Sequence, residues 1–300
     1  MPAGDLPQVV PSHLDALWFQ VTGLRCNLAC HHCFVSCHPK NNTFAFLSLA
    51  DVESRLEEAA ALGVKEFYFT GGEPFLHPQI VPILIAALAY GPVTVLTNGT
   101  VLKADWLRQL RDAEEQGIYS LEFRVSIDGF SPESNDPIRG EGTFVRAMSG
   151  VKLLVEHNFL PIITAVRTWS DAAESHIVAE FVHALKEIGY ARPRIKLLPT
   201  LQIGAEESRS CGYADHDRIT AEMWAGFDST QLVCENSRVV SDRGVHVCPI
   251  LIESPDSLLG KTLAQSLRPF EVSHGACFTC YQFGSICANP SSAPATGKDR

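Results

Sequence analysis

The sequence predicts an α/β fold in which helices wrap a parallel sheet, either doubly wound or curved into a partial barrel. Three observations predict it. Strand-like and helix-like patterns alternate through the first two thirds of the 300 residues, giving six βα-type units. Hydrophobic residues make up 46% and charged residues 19%, which suits a folded chain with a sizeable core and excludes a disordered or collagen-like one. After about residue 200 the alternation stops, and six of the ten cysteines fall between Cys211 and Cys287, marking a second segment.

Taken in order, Leu17–Val21 is an apolar run of strand length. Ala50–Leu62 repeats its apolar residues at helical spacing, with Ser48 placed to cap it. Glu66–Thr70 reads as a strand, Gln79–Ala89 as a helix and Thr94–Thr97 as a strand. Ala104–Gln116 is helical and Leu121–Ile127 extended; Thr143–His157 is helical and Ile162–Val166 extended. Ala172–Ile188 forms a helix after Ser170, and Arg194–Leu198 a sixth strand. In the second segment Arg238–Cys248 predicts a hairpin turning at Asp242-Arg243-Gly244. This divides the chain into an N-terminal extension (1–16), a βα domain (17–204), a cysteine-rich segment (205–288) and a Pro/Ser/Ala/Gly-rich tail (289–300) expected to be disordered.

The net charge of −10 argues against a nucleic-acid backbone as the main partner and favours cationic or neutral ligands. Met1–Leu14 lacks a basic n-region and is broken by prolines, so it is not read as a secretory signal. The most apolar run, Ile80–Tyr90, is eleven residues and too short to span a bilayer. A cytoplasmic location is the default expectation. Cysteines stay reduced there and read as metal ligands, catalytic thiols or buried apolar residues before they read as disulfides.

Directly after the first strand stands Cys26-Asn27-Leu28-Ala29-Cys30-His31-His32-Cys33. Three thiols at these spacings can face one point from a single loop, at the end of a strand where sheet and barrel enzymes place their chemistry. Three thiolates leave one iron of a four-iron cluster open to a substrate or cofactor. The structural alternative is a zinc knuckle that recruits His31, His32 or Cys37. The Cys-x3-Cys-x2-Cys loop resembles the signature of the radical S-adenosylmethionine (SAM) superfamily, and three more strand ends match that family in order. Gly71-Gly72-Glu73-Pro74 resembles its GGEP motif, which implies that Glu73 holds the methionine ammonium. Thr97-Asn98-Gly99 ends the third strand, and Ser126-Ile127-Asp128-Gly129 resembles the ribose-contacting segment. Glycines at such a turn also allow close backbone approach to a ligand. His32 stands where the family usually has an aromatic residue near the adenine; an imidazole also stacks or hydrogen-bonds. Arg139 and Arg167 are candidates for the cofactor carboxylate, with a surface salt bridge as the alternative for each. The resemblance covers residues 17–200 and implies a partial (βα)6 TIM-like barrel, a 4Fe–4S cluster on Cys26, Cys30 and Cys33, and SAM held by Gly71, Gly72, Glu73, Pro74, Asn98, Ser126 and Asp128.

The second cysteine group, Cys234-x9-Gly244-x3-Cys248 followed by Cys277-x2-Cys280-x6-Cys287, resembles the twitch module, a shortened SPASM auxiliary-cluster segment. It departs from the family by one residue between Gly244 and Cys248, and the later cysteines of the longer module are absent, which implies one auxiliary 4Fe–4S cluster and not two. Five cysteines for four irons leave one over. Twitch hairpins imply Cys234, Cys248, Cys277 and Cys280 as ligands with Cys287 spare. The other allocation, preferred here, uses Cys234, Cys277, Cys280 and Cys287 and frees Cys248. Zinc at this group and a redox dithiol at Cys277–Cys280 are the alternatives; Cys37 and Cys211 are assigned no role.

The resemblance implies a 5′-deoxyadenosyl radical that abstracts hydrogen from a small polar substrate, with a one-electron reductant such as flavodoxin or ferredoxin, and neither nucleic acid nor membrane as partner. Three outcomes compete. A cysteine gives back a hydrogen on the opposite face and inverts the carbon, as in aminoglycoside epimerases; Cys248 is the expected donor. An auxiliary cluster oxidises the substrate radical, as in aminocyclitol dehydrogenases. Or a peptide is cross-linked, which ranks last because only sixteen residues precede the first strand. Epimerisation of an aminoglycoside or similar amino sugar is the leading expectation: the compact length, single auxiliary site and surplus cysteine resemble that enzyme type, and an acidic chain suits a polycation. A zinc-stabilised binding module is the non-enzyme alternative.

Overall fold

A computed structural model describes residues 6–284 and 286–287; the tail expected to be disordered, 289–300, lies outside the described residues. A short strand β1 (Gln8–Val9) precedes β2 (Ala16–Gln20), α1 (Leu49–Ala61), β3 (Glu66–Thr70), α2 (Ile80–Leu88), β4 (Val93–Thr97), α3 (Ala104–Gln116) and β5 (Leu121–Ser126). Helices α4 (Pro132–Arg139) and α5 (Thr143–Glu156) lead to β6 (Ile162–Val166), α6 (Asp171–Glu187) and β7 (Arg194–Leu198). Short helical turns then connect β8 (Ser237–Ser241), β9 (Gly244–His246), β10 (Leu258–Gly260) and β11 (Phe270–Glu271) to a last helix, Gly275–Phe283.

The sheet runs β10-β9-β8-β2-β3-β4-β5-β6-β7, and β2 to β7 are all parallel. Strands in strict chain order, joined by crossovers of one hand, put every helix on the same face of the sheet. A doubly wound sheet would reverse its order at a switch point. The observed order therefore decides for the partial barrel. Leu17, Phe19, Phe67, Phe69, Val95, Phe123 and Ile163 bury the outer face against α1, α2, α3 and α5. The alternate residues, including Trp18, Gln20, Thr70, Arg124, Ser126 and Thr164, face a cavity inside.

Two connections went beyond the expectation. Strand β8 adds in parallel beside β2, so the cysteine-rich segment extends the barrel sheet itself, and β1 pairs antiparallel with β11. The hairpin forms as predicted, with Val239 opposite His246 and Ser241 opposite Gly244. Helix α4 was not predicted, because Pro137 reads as a breaker; Ser131 as N-cap and Pro132 in the first turn start it nonetheless. Its C-terminal Arg139 returns to the end of β5. Among the described residues no helix is long and apolar enough to cross a membrane.

The end of β4 is fixed by close packing on α5. A Cβ on Gly150 would lie 2.0 Å from the Gly99 carbonyl oxygen. Alanine for glycine in a helix interior ordinarily stabilises by about 0.5–1 kcal/mol. Here the overlap outweighs that gain, with overpacking costs of about 1–3 kcal/mol. Gly150→Ala is expected to lower the melting temperature; a rise on calorimetry would contradict this packing account.

Candidate active site

The cysteine loop leaves β2 and is shaped by its own backbone. The Leu28 N–H donates to Cys26 Sγ at 3.4 Å and the Cys37 N–H to Cys33 Sγ at 3.3 Å. The Gly71-Gly72 turn seats beneath it: Gly72 N–H donates to the Gly23 carbonyl at 2.9 Å, and Glu73 N–H to the Arg25 carbonyl at 3.1 Å. A Cβ on Gly72 would meet the Arg25 carbonyl oxygen at 2.1 Å, so only glycine permits this approach. Above the loop and turn lies a cavity of about 210 Å³. Cys26, Cys30 and Cys33 line it, together with Gly71, Gly72, Asn98 and Ser126. Leu198, Pro199 and Leu201, from the segment after β7, close one side.

Glu73, whose carboxylate is expected to meet a ligand ammonium, is not among the residues that line this cavity. It is fully buried and already accepts three hydrogen bonds: from the Thr97 hydroxyl at 2.7 Å, the Asn98 N–H at 2.7 Å and the Phe75 N–H at 3.0 Å. Pro74 is likewise buried outside it, opening a single helical turn. Asp128 is placed in a similar way. Its carboxylate takes His32 Nε2 at 2.6 Å, Arg139 Nε at 2.5 Å and the Val166 N–H at 2.7 Å, and it does not line the cavity. The Arg139 guanidinium, with hydrogen bonds from His32 and the Val166 N–H, holds Asp128 well below the usual carboxylate range despite its burial. Both acids position other groups.

His32 and Arg139 do line the cavity, and His32 Nδ1 is buried without a partner there. Arg139 is a buried cation beside the thiols, not a surface pair. Arg167, by contrast, pairs with Glu174 at 2.7 Å, partly exposed and away from the cavity. Sequence reading missed Arg124, which is 2% exposed on β5 and stands over the Tyr68 ring, itself stacked on Trp18. The signal was available: Glu122, Arg124 and Ser126 alternate along an otherwise apolar strand and mark a polar inner face. Nearby, burial and the Arg124 charge push the Lys196 ammonium down to about 8.

The five later cysteines divide otherwise than expected. Cys234, Cys248, Cys277 and Cys280 line a second, apolar pocket of about 20 Å³. Cys287 lines the main cavity. Cys248 was expected at the barrel mouth and Cys287 as a ligand; Cys248 lines the second pocket and Cys287 the main cavity. The chain turns sharply at Pro249 so that the Ile250 and Leu251 N–H groups point back at Cys248, which sends its sulfur away from the mouth. Among the described residues no three His, Cys, Asp or Glu side chains converge as a single metal ion requires.

A model of the radical SAM superfamily matches residues 21–176. The chain belongs to the radical SAM superfamily. The subtilosin biosynthesis protein AlbA of Bacillus subtilis is 29% identical over 163 residues, covering 54% of this chain and 35% of that protein. The AdoMet-dependent heme synthase of Methanosarcina barkeri is 30% identical over 199 residues, covering 65% and 53%. The chain thus spans roughly a third to a half of the length of these relatives. Streptococcus suis SuiB bound to its precursor peptide SuiA superposes with a TM-score of 0.61 at 16% identity, covering 85% of this chain and 63% of that one. AdoMet-bound anSMEcpe gives 0.60 at 17%, covering 84% and 76%. These two share the fold.

Radical SAM enzymes bind a 4Fe–4S cluster and S-adenosylmethionine, and the residues present fit them. Burial pushes Cys26 up to about 12 and Cys30 upward, so these thiols yield their protons to bound iron and not to solvent. The Cys37 thiol and N–H pull Cys33 down to about 6. Asn98 Nδ2 reaches Cys26 Sγ at 3.6 Å. Trp18 Nε1, like His32 Nδ1, is a buried donor or acceptor of a cavity-lining residue with no protein partner.

Burial raises the Glu73 carboxyl from 4.5 to about 7. The folded state therefore takes up this proton before the unfolded state does. The stabilisation of about 3 kcal/mol is full below pH 4.5 and is lost as pH rises through 7. Glu73→Gln should flatten the fall in melting temperature between pH 5 and about 7.5; an unchanged slope would show that Glu73 titrates normally.

Proposed function

We propose that this radical SAM enzyme inverts one carbon of a small polar substrate, with Cys287 as the hydrogen donor and an auxiliary 4Fe–4S cluster on Cys234, Cys248, Cys277 and Cys280. The observation that carries the reading is the division of the cysteines: four around the second pocket, one in the cavity that Cys26, Cys30 and Cys33 line. Cys26, Cys30 and Cys33 would hold the first cluster; Gly71, Gly72, Asn98 and Ser126, with His32 and Arg139, would hold S-adenosylmethionine. When bound, these groups supply a 5′-deoxyadenosyl radical that takes a hydrogen atom from one substrate carbon.

The chain's own residues do the rest. Burial raises the Cys287 thiol to about 12, which keeps its hydrogen in place at neutral pH. An S–H bond is weaker than most C–H bonds, so Cys287 gives a hydrogen atom to the substrate carbon from the other face. The sulfur radical left on Cys287 returns to a thiol by taking one electron and one proton, the electron coming from a one-electron reductant such as a flavodoxin or ferredoxin. Arg124 fixes the residue that bears this thiol by donating from Nη1 to the Cys287 carbonyl. Leu198, Pro199 and Leu201 exclude water from that side.

One ground of the amino-sugar expectation was a net charge spread over the whole chain. The cavity itself counts differently. Its charged lining residues are Arg124 and Arg139, and among the described lining residues there is no carboxylate to receive an ammonium group. A sugar-like substrate with an anionic or acceptor-rich group suits it better than a polycation. One observation favours a second reading, oxidation of the substrate: Cys287 lies within electrostatic reach of Cys248, so the second pocket adjoins the cavity and a cluster there is placed to accept an electron.

Turnover of a panel of sugar phosphates, uronic acids and amino sugars in deuterated water tests both. Inversion predicts a product of unchanged composition with one solvent deuterium at the inverted carbon, because the thiol exchanges with solvent. Cys287→Ala should still form 5′-deoxyadenosine but no inverted product. A product two hydrogens lighter, without solvent deuterium, would establish the oxidation instead.

A further inference from the structure

Arg238 is the most deeply buried cation of the fold and takes no part in the main cavity. It sits on β8 opposite Leu17, is 0% exposed, and among the described residues has no carboxylate in an ion pair. Three backbone carbonyls hold its guanidinium: Nε donates to Ser266 at 3.1 Å, and Nη1 to Cys234 at 2.7 Å and Ser237 at 2.6 Å. Nη2 is buried with no partner. Carbonyl dipoles solvate a cation but do not neutralise it. A guanidinium does not shed its proton, and an uncompensated buried charge costs several kcal/mol. The charged or chargeable groups that act on it are Cys234, Cys248 and, more weakly, Glu235. Cys234 and Cys248 line the second pocket with Cys277 and Cys280.

We infer that Arg238 is the built-in counter-cation of the second cysteine site, compensating a net negative iron–sulfur cluster there and raising its reduction potential. The inference rests on the auxiliary cluster of the preceding section. Four thiolates outweigh the charge of the iron–sulfide core, and each added electron makes the assembly more negative. A fixed positive charge at low dielectric therefore stabilises the reduced form more than the oxidised one. The three carbonyls keep the guanidinium in register with the sulfurs, and β8 ties that register to the barrel through β2. Arg238 is a positioning residue that acts on electron transfer through the cluster and touches no substrate.

The test uses the full chain with the first site silenced by Cys26→Ala, Cys30→Ala and Cys33→Ala, so that the second site alone is read. Iron content and the midpoint potential are measured by electron paramagnetic resonance in an anaerobic redox titration, for Arg238, Arg238→Lys and Arg238→Gln. The expected result is unchanged iron, a potential kept by Arg238→Lys, and a more negative potential in Arg238→Gln. A tenfold shift in the reduction equilibrium corresponds to about 59 mV for one electron. Equal potentials in all three, with iron retained, would overturn the role of Arg238 and leave the auxiliary cluster standing. Absence of iron from the silenced chain with Arg238 intact would overturn the auxiliary cluster itself.

Discussion

Two buried carboxylates hold the site together, and the remaining geometry follows from them. Glu73 ties the end of β3 to the end of β4 through Thr97 and the Asn98 backbone. Asp128 ties the end of β5 to the cysteine loop through His32, to α4 through Arg139 and to the end of β6 through Val166. Each acid spends its oxygens on loop donors at hydrogen-bond distance, so strand ends that would otherwise move independently are cross-linked around one cavity. The two acids differ in their electrostatics. Asp128 is compensated by the Arg139 guanidinium and further hydrogen bonds and stays ionised, whereas Glu73 has only neutral donors and holds a proton far more readily. One network therefore resists pH, and the other is sensitive to it near neutrality.

Much of this was legible in the sequence, for a physical reason. A loop of three cysteines at fixed spacing, and glycine-rich strand ends, are local features, and chain-order pairing of parallel strands converts their order along the sequence into positions around one cavity. The cysteine loop, Gly71-Gly72, Asn98 and Ser126 accordingly come together. The loop donors that hold Glu73 and Asp128 were not legible, because residue type shows that a carboxylate wants donors, not which neighbouring loops supply them. Arg139, already a candidate from the sequence, reaches the cavity from the end of α4, a helix that was not predicted.

The allocation of Cys248 and Cys287 was not legible, because it turns on which way the backbone folds at Pro249 and on where the chain re-enters the barrel after the Gly275–Phe283 helix. Spacing alone left both allocations open. Net charge was equally uninformative about the cavity: the excess of acids is counted over the whole chain, while the cavity lining carries guanidinium groups. Helices on one face, a polar inner face and a cysteine-rich extension of the same sheet put a pocket lined by four cysteines beside the cavity that Cys287 lines. Arg238 and Arg124, both buried and both absent from any motif, supply the charge on either side of that boundary.

The central claim is that the five later cysteines divide four to one, with Cys287 the odd one out. Iron analysis of the anaerobically reconstituted full chain tests it most directly. With two 4Fe–4S clusters the unaltered protein should hold about eight irons per chain. The account predicts that Cys287→Ala keeps about eight and that Cys248→Ala falls to about four. Loss of about four irons in Cys287→Ala, with Cys248→Ala unchanged, would contradict it.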